Sequence, residues 1–389
     1  MNKIELLSPA GDLERLKIAY LYGADACYIG GKDFSLRANA NNFSIDEIEE
    51  ATNFAHSLNK KLYVTVNIIF HNKDIDGVED YIEKLSKIEV DGIILSDPLL
   101  IPIVKKNNLK IIISTQNSTC NKEAVKYWME KGADKVVFAR EVPLKEIKKI
   151  IKETGVNAEV FLHGAMCTCM SGRCVLSNYF TNRDSNRGGC AQVCRFNFDL
   201  DKKRKTDFSI ATKDLMLAKY IPDFIDAGVK SLKIEGRMRS IYYLATVNRS
   251  YRNLIDAYYS NNFNKELLER EEKLLKRVAN RESTDQYIKG NVTYKDQYYN
   301  GRQEVSNQDF LAFVTDYKDG YAYVEQRNFF KLGDEVTVFG PGIKDYTFKI
   351  TEIINEDNES IDCANHPKEP LKIKISKKIP KNSMIRVSF

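Results

Sequence analysis

Short apolar runs rich in β-branched residues alternate with segments of helical spacing from the start of the chain to about residue 260. Strands that alternate with helices pair in parallel, because each helix carries the chain back to the same end of the sheet. Eight such units predict an α/β fold, a (β/α)8 TIM-like barrel, with an open doubly wound sheet as the alternative. The predicted strands are Ile4–Ser8, Ala26–Gly30, Leu62–Asn67, Gly92–Ser96, Ile111–Thr115, Val136–Ala139, Glu159–Leu162 and Ser231–Ile234.

The carboxyl ends of these predicted strands carry an unusual set of polar residues. In a closed parallel barrel those ends face one opening, where active sites form. Each residue could simply end a strand or cap a helix, so it is the series as a whole that favours a site. We expect His163, Glu235 and Arg237 to be catalytic; the alternatives are a strand-end hydrogen bonder for His163 and a structural ion pair for the other two. The remaining members are Arg37, Asn39, Asn67, Asp97, Gln116, Arg140 and Glu141.

Five of the eight cysteines lie within 28 residues, and without Cys169 their spacing is C-x6-C-x15-C-x3-C. Four thiolates on one glycine-containing loop, residues 165–195, suit an iron–sulfur cluster. A zinc site usually shows paired C-x2–4-C knuckles, and with Cys169 set aside only Cys190 and Cys194 match. The C-x3-C-x2-C motif of radical enzymes that use S-adenosylmethionine is absent, since residue 197 is Asn. The last alternative, buried free thiols, fits poorly with the surrounding glycines and arginines.

The net charge of +5 is concentrated beside these cysteines. Between Arg173 and Lys205 there are eight basic and three acidic residues, whereas the rest of the chain holds 51 of each sign. An anionic partner would therefore meet the cysteine segment first.

The pattern changes near residue 305, where short alternating strands with turns predict a small β-barrel domain. We therefore expect a domain over 1–290 and a second over 305–389. The N-terminus lacks a signal sequence and the most apolar stretch is too short to span a bilayer, which predicts a cytoplasmic protein with no membrane partner. The four histidines form no H-E-x-x-H motif and no serine stands in G-x-S-x-G, which argues against a self-contained peptidase.

Several long segments form specific motifs across roughly the first 290 residues. They are Leu7-Ser-Pro-Ala-Gly-Asp12, Phe34-Ser-Leu-Arg-Ala-Asn39, His163-Gly-Ala-Met-Cys167, Ser171-Gly-Arg-Cys174, Asn186-Arg-Gly-Gly-Cys190-Ala-Gln-Val-Cys194-Arg195 and Lys233-Ile-Glu-Gly-Arg-Met-Arg-Ser240. Together they resemble the signature of peptidase family U32, named for collagenase-like peptidases. The branch that the chain resembles consists of bacterial proteins that hydroxylate the wobble uridine of tRNA to 5-hydroxyuridine.

That resemblance implies an oxygen-independent hydroxylase with a [4Fe–4S] cluster and with prephenate as the hydroxyl source. Carried over by motif, the cluster ligands are Cys167, Cys174, Cys190 and Cys194. Two positions depart from the family pattern: Cys169 stands where a non-cysteine is usual and could compete as a ligand, and Val193 replaces a proline.

Further residues are candidates for binding the dicarboxylate and the RNA. Arginine binds carboxylates through two parallel hydrogen bonds, and polar neighbours would complete the substrate site. The substrate-site candidates are Arg37, Asn39, Asn67, Gln116, Arg140, Arg173 and Arg237, with Tyr179, beside Phe180, to stack on an unpaired base. The phosphate-binding candidates are Arg183, Arg187, Arg195, Lys202, Lys203, Arg204 and Lys205.

Three alternatives stay open at this point. The first is a U32-type peptidase, and the second is hydroxylation of ribosomal RNA or of a small aromatic compound. The third is an RNA-binding protein whose cluster has a structural role. The sequence also leaves open whether the chain forms a homo-oligomer or a hetero-oligomer with a related family member.

Overall fold

The computed structural model describes residues 3–36, 42–199, 208–279, 281–298 and 308–389. The chain divides into two compact units, residues 1–305 and 306–389. Within the described ranges, none of the helices combines the length and the apolar composition needed to cross a bilayer.

The first unit is built on a closed parallel barrel. Its strands are β1 (Glu5–Pro9), β2 (Ala26–Gly30), β3 (Lys61–Val66), β4 (Gly92–Leu95), β5 (Ile111–Ile113), β6 (Lys135–Val137), β7 (Ala158–Gly164), β8 (Ala211–Thr212), β9 (Asp214–Met216) and β10 (Ser231–Ile234). Strands β1 to β7 pair in sequence, and β10 closes the ring by pairing in parallel with both β7 and β1. This confirms the predicted eight-stranded barrel and excludes the open sheet.

The first unit contains ten described α-helices, most of which alternate with the barrel strands. They are α1 (Leu13–Leu21), α2 (Ile45–Ser57), α3 (Val78–Lys87), α4 (Leu100–Lys106), α5 (Lys122–Lys131), α6 (Leu144–Thr154), α7 (Leu176–Thr181), α8 (Ile221–Asp226), α9 (Ile241–Tyr259) and α10 (Lys265–Val278). A capping box formed by Ser44 and Glu47 begins α2, and the Ser240 hydroxyl caps α9.

Strand ends differ from the prediction where the chain turns towards the barrel opening. Strand β5 stops at Ile113 because Thr115–Asn117 form a short 3-10 turn. Strand β7 is longer than predicted, since His163 pairs with β10 and Gly164 with β9, which runs antiparallel to it. The cysteine segment, residues 165–195, thus leaves directly from the end of β7.

Four charged residues inside the barrel form a paired cluster, here called the floor network: Glu5, Lys135, Glu159 and Lys233. The fully buried Glu159 carboxylate accepts a 2.8 Å hydrogen bond from Lys233 and lies 3.4 Å from the Lys135 ammonium, which is 2.6 Å from Glu5. Burial by itself raises the pKa of Glu159, but the charges of the two lysines outweigh it and hold that pKa below its ordinary value. The network joins strands β1, β6, β7 and β10.

The second unit is the predicted small β-domain. The strands that follow β10 are β11 (Ser283–Thr284) and β12 (Gln297–Tyr298) in the first unit, then β13 (Phe310–Lys318), β14 (Tyr321–Gln326), β15 (Phe330–Lys331), β16 (Glu335–Phe339), β17 (Tyr346–Lys349), β18 (Ile353–Ile354), β19 (Cys363–Ala364), β20 (Pro370–Lys374) and β21 (Met384–Val387). Seven of them form an antiparallel sheet in the order β17-β16-β21-β13-β14-β20-β18, curled as a half-barrel around an aliphatic core.

Candidate functional site: a thiol-lined cavity at the barrel opening

A cavity lies at the carboxyl ends of the barrel strands, beneath the cysteine segment. Its floor is made by side chains that point inward from the strands, and its upper wall by the cysteine segment. The strand residues include Tyr28, Thr65, Ile94, Phe161 and Lys233. We call it the cysteine cavity.

All five clustered cysteines line this cavity. Cys167 and Cys190 are exposed, whereas Cys169, Cys174 and Cys194 are half-buried. The sulfur of Cys167 accepts from the Arg140 guanidinium at 3.8 Å, and that of Cys174 accepts from the backbone N–H of Leu176 at 3.4 Å. Such donors stabilise negative charge on sulfur. Sequence reasoning alone left open whether these residues meet, and the structure brings them together.

Burial raises the pKa of two of these thiols. For Cys169 the pKa rises to about 12, because burial is reinforced by a hydrogen bond with the Cys174 side chain and by the neighbouring thiols of Cys174, Cys167 and Cys194. The pKa of Cys194 is also raised by burial, although Arg195 works in the opposite direction.

The cysteine segment is held to the barrel by specific polar contacts. The Glu141 carboxylate, after β6, accepts from the backbone N–H and the hydroxyl of Ser171 at 2.6 and 2.7 Å. This fixes a serine whose φ is +46°, in the left-handed region that only glycine adopts freely. At the other end, Arg187 forms a two-pronged ion pair with Asp74, with N–O distances of 2.5 and 2.8 Å.

Cations outnumber carboxylates among the described residues that line the cysteine cavity. The lining carries Arg140, Arg195, Lys233 and Arg237 but a single carboxylate, Glu235. The Arg140 guanidinium lies 4.1 Å from the centre of the Phe161 ring, and Glu235 accepts a 3.1 Å hydrogen bond from the Tyr28 hydroxyl. Arg237 donates to the backbone carbonyl of Leu36. The cavity is therefore suited to an anionic ligand.

The predicted amide residues lie on the same wall. Asn67 lines the cavity and donates to Gln116 at 3.4 Å, and Gln116 also contacts the Ser114 hydroxyl. Arg173 does not line the cysteine cavity; its Nε donates to the Gln116 carbonyl at 2.7 Å, in a smaller adjoining pocket that also contains Asp97. Arg37 and Asn39 lie outside the described residues.

The position of His163 favours the structural alternative over catalysis. Its ring is buried, does not line the cysteine cavity, and shares a 3.0 Å hydrogen bond with the Tyr251 hydroxyl of α9. Burial, together with the charge of Arg239, lowers the pKa of His163 to about 3, so the imidazole is neutral. In the structure His163 packs between β7 and α9, and its catalytic role stays a prediction.

The predicted RNA-contacting residues separate into groups. Arg183 is exposed, and Arg195 borders the cysteine cavity. Arg187 instead forms an ion pair with Asp74 and so anchors the cysteine segment to the barrel. Tyr179 is 83% exposed and packs edge-on against Phe180, whose ring contacts Phe198. The run Lys202, Lys203, Arg204 and Lys205 lies outside the described residues.

Several lining residues were missed at the sequence level. Tyr28, Phe161 and Lys233 stand inside predicted strands and are not among the predicted site residues. A lysine in the middle of an apolar strand, as in Ser231-Leu-Lys-Ile234, was the available signal, because a buried lysine requires a partner. Glu141 was noted only as a strand-end residue, and its contact with Ser171 depends on the fold.

The donor set fits an iron–sulfur cluster in kind, and its five thiols include the four that such a cluster needs. Five soft thiol donors converge on one cavity bordered by arginines and backbone N–H groups. No three His, Cys, Asp or Glu side chains in the described part of the chain are placed to hold a single metal ion.

A barrel with a cation-rich, thiol-lined cavity at the carboxyl ends of its strands defines the class as a (β/α)8-barrel enzyme. Residues 11–298 match peptidase family U32, and residues 306–386 match the peptidase family U32 C-terminal domain. The chain therefore belongs to peptidase family U32.

Three relatives illustrate what the chain is similar to. It is 44% identical to "tRNA hydroxylation protein P1" of Bacillus subtilis (strain 168), over 99% of this chain and 95% of that protein. It is 31% identical to "tRNA hydroxylation protein P" of Haemophilus influenzae, over 93% and 91%. It is also 30% identical to "Collagenase" of Porphyromonas gingivalis, over 91% and 90%.

Proposed function

We propose that this protein hydroxylates RNA, converting the wobble uridine of tRNA to 5-hydroxyuridine without molecular oxygen. The observation that carries the proposal is the cysteine cavity, where thiols and arginines converge at the barrel opening. The similarity along almost the whole chain to a protein named for tRNA hydroxylation supports the choice of reaction and substrate.

Within this proposal, Cys167, Cys174, Cys190 and Cys194 hold a [4Fe–4S] cluster, which supplies electron-transfer chemistry beside the substrate. Prephenate, a dicarboxylate, is the proposed hydroxyl donor. Arg140 and Arg237 bind its carboxylates, with Arg195 completing the site.

The remaining lining residues orient the substrate and handle protons. Glu235 is the carboxylate available in the described lining, and the Tyr28 hydroxyl fixes its orientation, so we assign it as the proton acceptor. Asn67 and Gln116 offer amide donors and acceptors to the edge of a uracil ring. Phe161 sets the plane of the Arg140 guanidinium.

A deletion strain tests the reaction directly. Mass spectrometry of tRNA nucleosides from the deletion strain should show loss of 5-hydroxyuridine and its derivatives, restored by the wild-type gene but not by Cys174→Ser. Unchanged tRNA with altered ribosomal RNA nucleosides would redirect the proposal to ribosomal RNA. Unchanged nucleosides in both, with tRNA still retained by the protein, would favour a binding role.

Purified protein tests the cofactor and the phosphate contacts. Anaerobically purified protein should contain about four iron and four sulfide per chain, with a broad absorption band bleached by dithionite. Replacing Lys202, Lys203, Arg204 and Lys205 by Gln should weaken tRNA binding and flatten its salt dependence.

A peptidase is the second candidate, because of the similarity to a protein named "Collagenase". Digestion of gelatin or of unfolded collagen by the purified protein tests it. Digestion that survives the Cys174→Ser and Glu235→Gln substitutions would place a peptidase site away from the cysteine cavity.

A further inference from the structure

The structure contains one thiol more than a four-cysteine cluster requires. Cys169 lines the same cavity as the four motif cysteines, and its side chain lies beside that of Cys174. Both side chains are half-buried, so small molecules in the cavity can reach them. Cys169 and Cys174 are therefore neighbours in the cavity, but only Cys174 is a ligand of the proposed cluster.

The backbone between the two cysteines is shaped to keep them together. A 3-10 turn, Met170–Gly172, reverses the chain, with the Gly172 N–H donating to the Cys169 carbonyl at 3.3 Å. The Glu141 carboxylate holds this turn through its two hydrogen bonds to Ser171. The short connection and the external clamp give the two thiols a high effective concentration relative to one another.

Cys174 is fixed independently of that turn. Its backbone N–H donates to the Asn186 side chain at 3.1 Å, and its carbonyl accepts from the same amide at 2.9 Å. Contacts with Glu141 thus position the turn that follows Cys169, whereas contacts with Asn186 position Cys174.

We propose that Cys169 and Cys174 form a reversible disulfide when the cavity holds no cluster, making this pair a redox modification site. The inference rests on the proposed cluster in one respect: Cys174 cannot bind iron and form the disulfide at the same time. An oxidised pair is protected from conversion to sulfinic or sulfonic acid, and reduction returns Cys174 to the ligand set.

The oxidant is a low-molecular-weight disulfide, with oxidised glutathione as the probe. The thiolate of one cysteine attacks the probe, which forms a mixed disulfide and releases one glutathione thiolate. The thiolate of the other cysteine attacks the protein sulfur of that mixed disulfide and releases the second. The two protons lost by the cysteines are taken up by the two glutathione thiolates, so the pair loses two electrons and the probe gains them.

The chain offers a favourable peptide map for the test. Trypsin cleaves after Arg173, so the disulfide links peptide 153–173 to peptide 174–183, while Cys190 and Cys194 fall in peptide 188–195. Full-length Cys167→Ser protein is oxidised with glutathione disulfide, alkylated, digested without reduction and analysed by mass spectrometry. The matched control carries Cys169→Ser in addition, and iron is measured on every sample.

In Cys167→Ser protein we expect the 153–173/174–183 link, reversed by dithiothreitol, and none in the double variant, whose peptide 153–173 contains no cysteine. Iron-loaded wild-type protein should resist formation of the link until the iron is removed. A link from 174–183 to 188–195 in place of the expected one would overturn the proposal. So would iron retained by Cys167→Ser without any link, since Cys169 would then be a cluster ligand. If wild-type protein contains no iron while Cys167→Ser protein forms the link, the disulfide stands and the cluster falls.

Discussion

The floor and the opening of the barrel use charge in opposite ways. In the floor network two lysines face two glutamates inside the barrel, with N–O distances from 2.6 to 3.4 Å. At the opening, Arg140, Arg195 and Arg237 line a cavity whose described lining contains one carboxylate. A buried charge without a partner is costly, so the balanced floor serves stability, whereas the cationic excess above it suits an incoming anion. Changes in the two regions should consequently be distinguishable by what they affect.

The largest effect is expected at the opening, from removal of a cluster ligand. Cys174→Ser or Cys190→Ser should abolish the iron content and the hydroxylation of tRNA, because a serine hydroxyl is a poor replacement for a soft thiolate. Cys169→Ser should retain the iron. Iron analysis and absorption spectra check this, with Cys363→Ser in the second unit as the control. Full iron in Cys174→Ser, or its loss in Cys169→Ser, would overturn the ligand assignment.

The next largest effect is expected at the floor. Glu159→Ala leaves the Lys135 and Lys233 charges without their shared buried partner, so the free energy of unfolding should fall by about 3–5 kcal/mol. Urea denaturation of both proteins measures the difference. A change below 1 kcal/mol would mean that the floor network tolerates imbalance, and the contrast with the opening would be lost.

The same residue makes a pH-dependent contribution. Because the folded-state pKa of Glu159 is lowered, its contribution to stability is present above the unfolded pKa of about 4.3 and is lost as the pH falls through the folded pKa. Glu159→Gln should therefore show a weaker loss of stability in acid than the wild type. Denaturation midpoints compared between pH 6 and pH 3 test this sign.

A smaller effect is expected from a single cation at the opening. Arg140→Gln should lower kcat/KM by about 10- to 150-fold, since a hydrogen bond to a charged group contributes about 1.5–3 kcal/mol. Arg140→Lys should recover only part of the loss, because lysine cannot form a two-pronged contact or keep the planar packing on Phe161. Thermal unfolding should change little in either variant; a large drop would assign Arg140 to the fold.

The smallest effect is expected from Arg183 and Arg187, two arginines that lie close together in the cysteine segment. Arg183→Gln should reduce the slope of tRNA affinity against salt by about one and leave stability unchanged, because Arg183 is exposed. Arg187→Gln should instead weaken the attachment of the cysteine segment through the lost Asp74 pair. The reverse pattern would exchange their roles.

The barrel was predictable from the sequence because its pattern is local. Alternating strands and helices, the capping box at Ser44 and the boundary near residue 305 all depend on neighbouring residues. The cavity was predictable only in part. Asn67, Gln116, Arg140, Glu235 and Arg237 do line it, since strand ends in a barrel converge whatever their sequence.

What the sequence could not show depends on contacts between distant segments. His163 stands in a family motif beside the cysteines, yet its ring packs on Tyr251, 88 residues away. Arg187 looked like a phosphate ligand until Asp74, 113 residues earlier in the chain, was found to bind it. Neither partner can be deduced from spacing, because both contacts arise from the tertiary fold.

The closure of the barrel by β10 also sets an order of events during synthesis. All five clustered cysteines precede Ser231–Ile234, the strand that β1 and β7 both need as a neighbour. A nascent chain therefore presents its complete set of thiols before the ring can close over the floor network. Since domains form from their N-terminal side as they are translated, there is an interval in which the cysteine segment is accessible to the machinery of metal delivery and to oxidants alike.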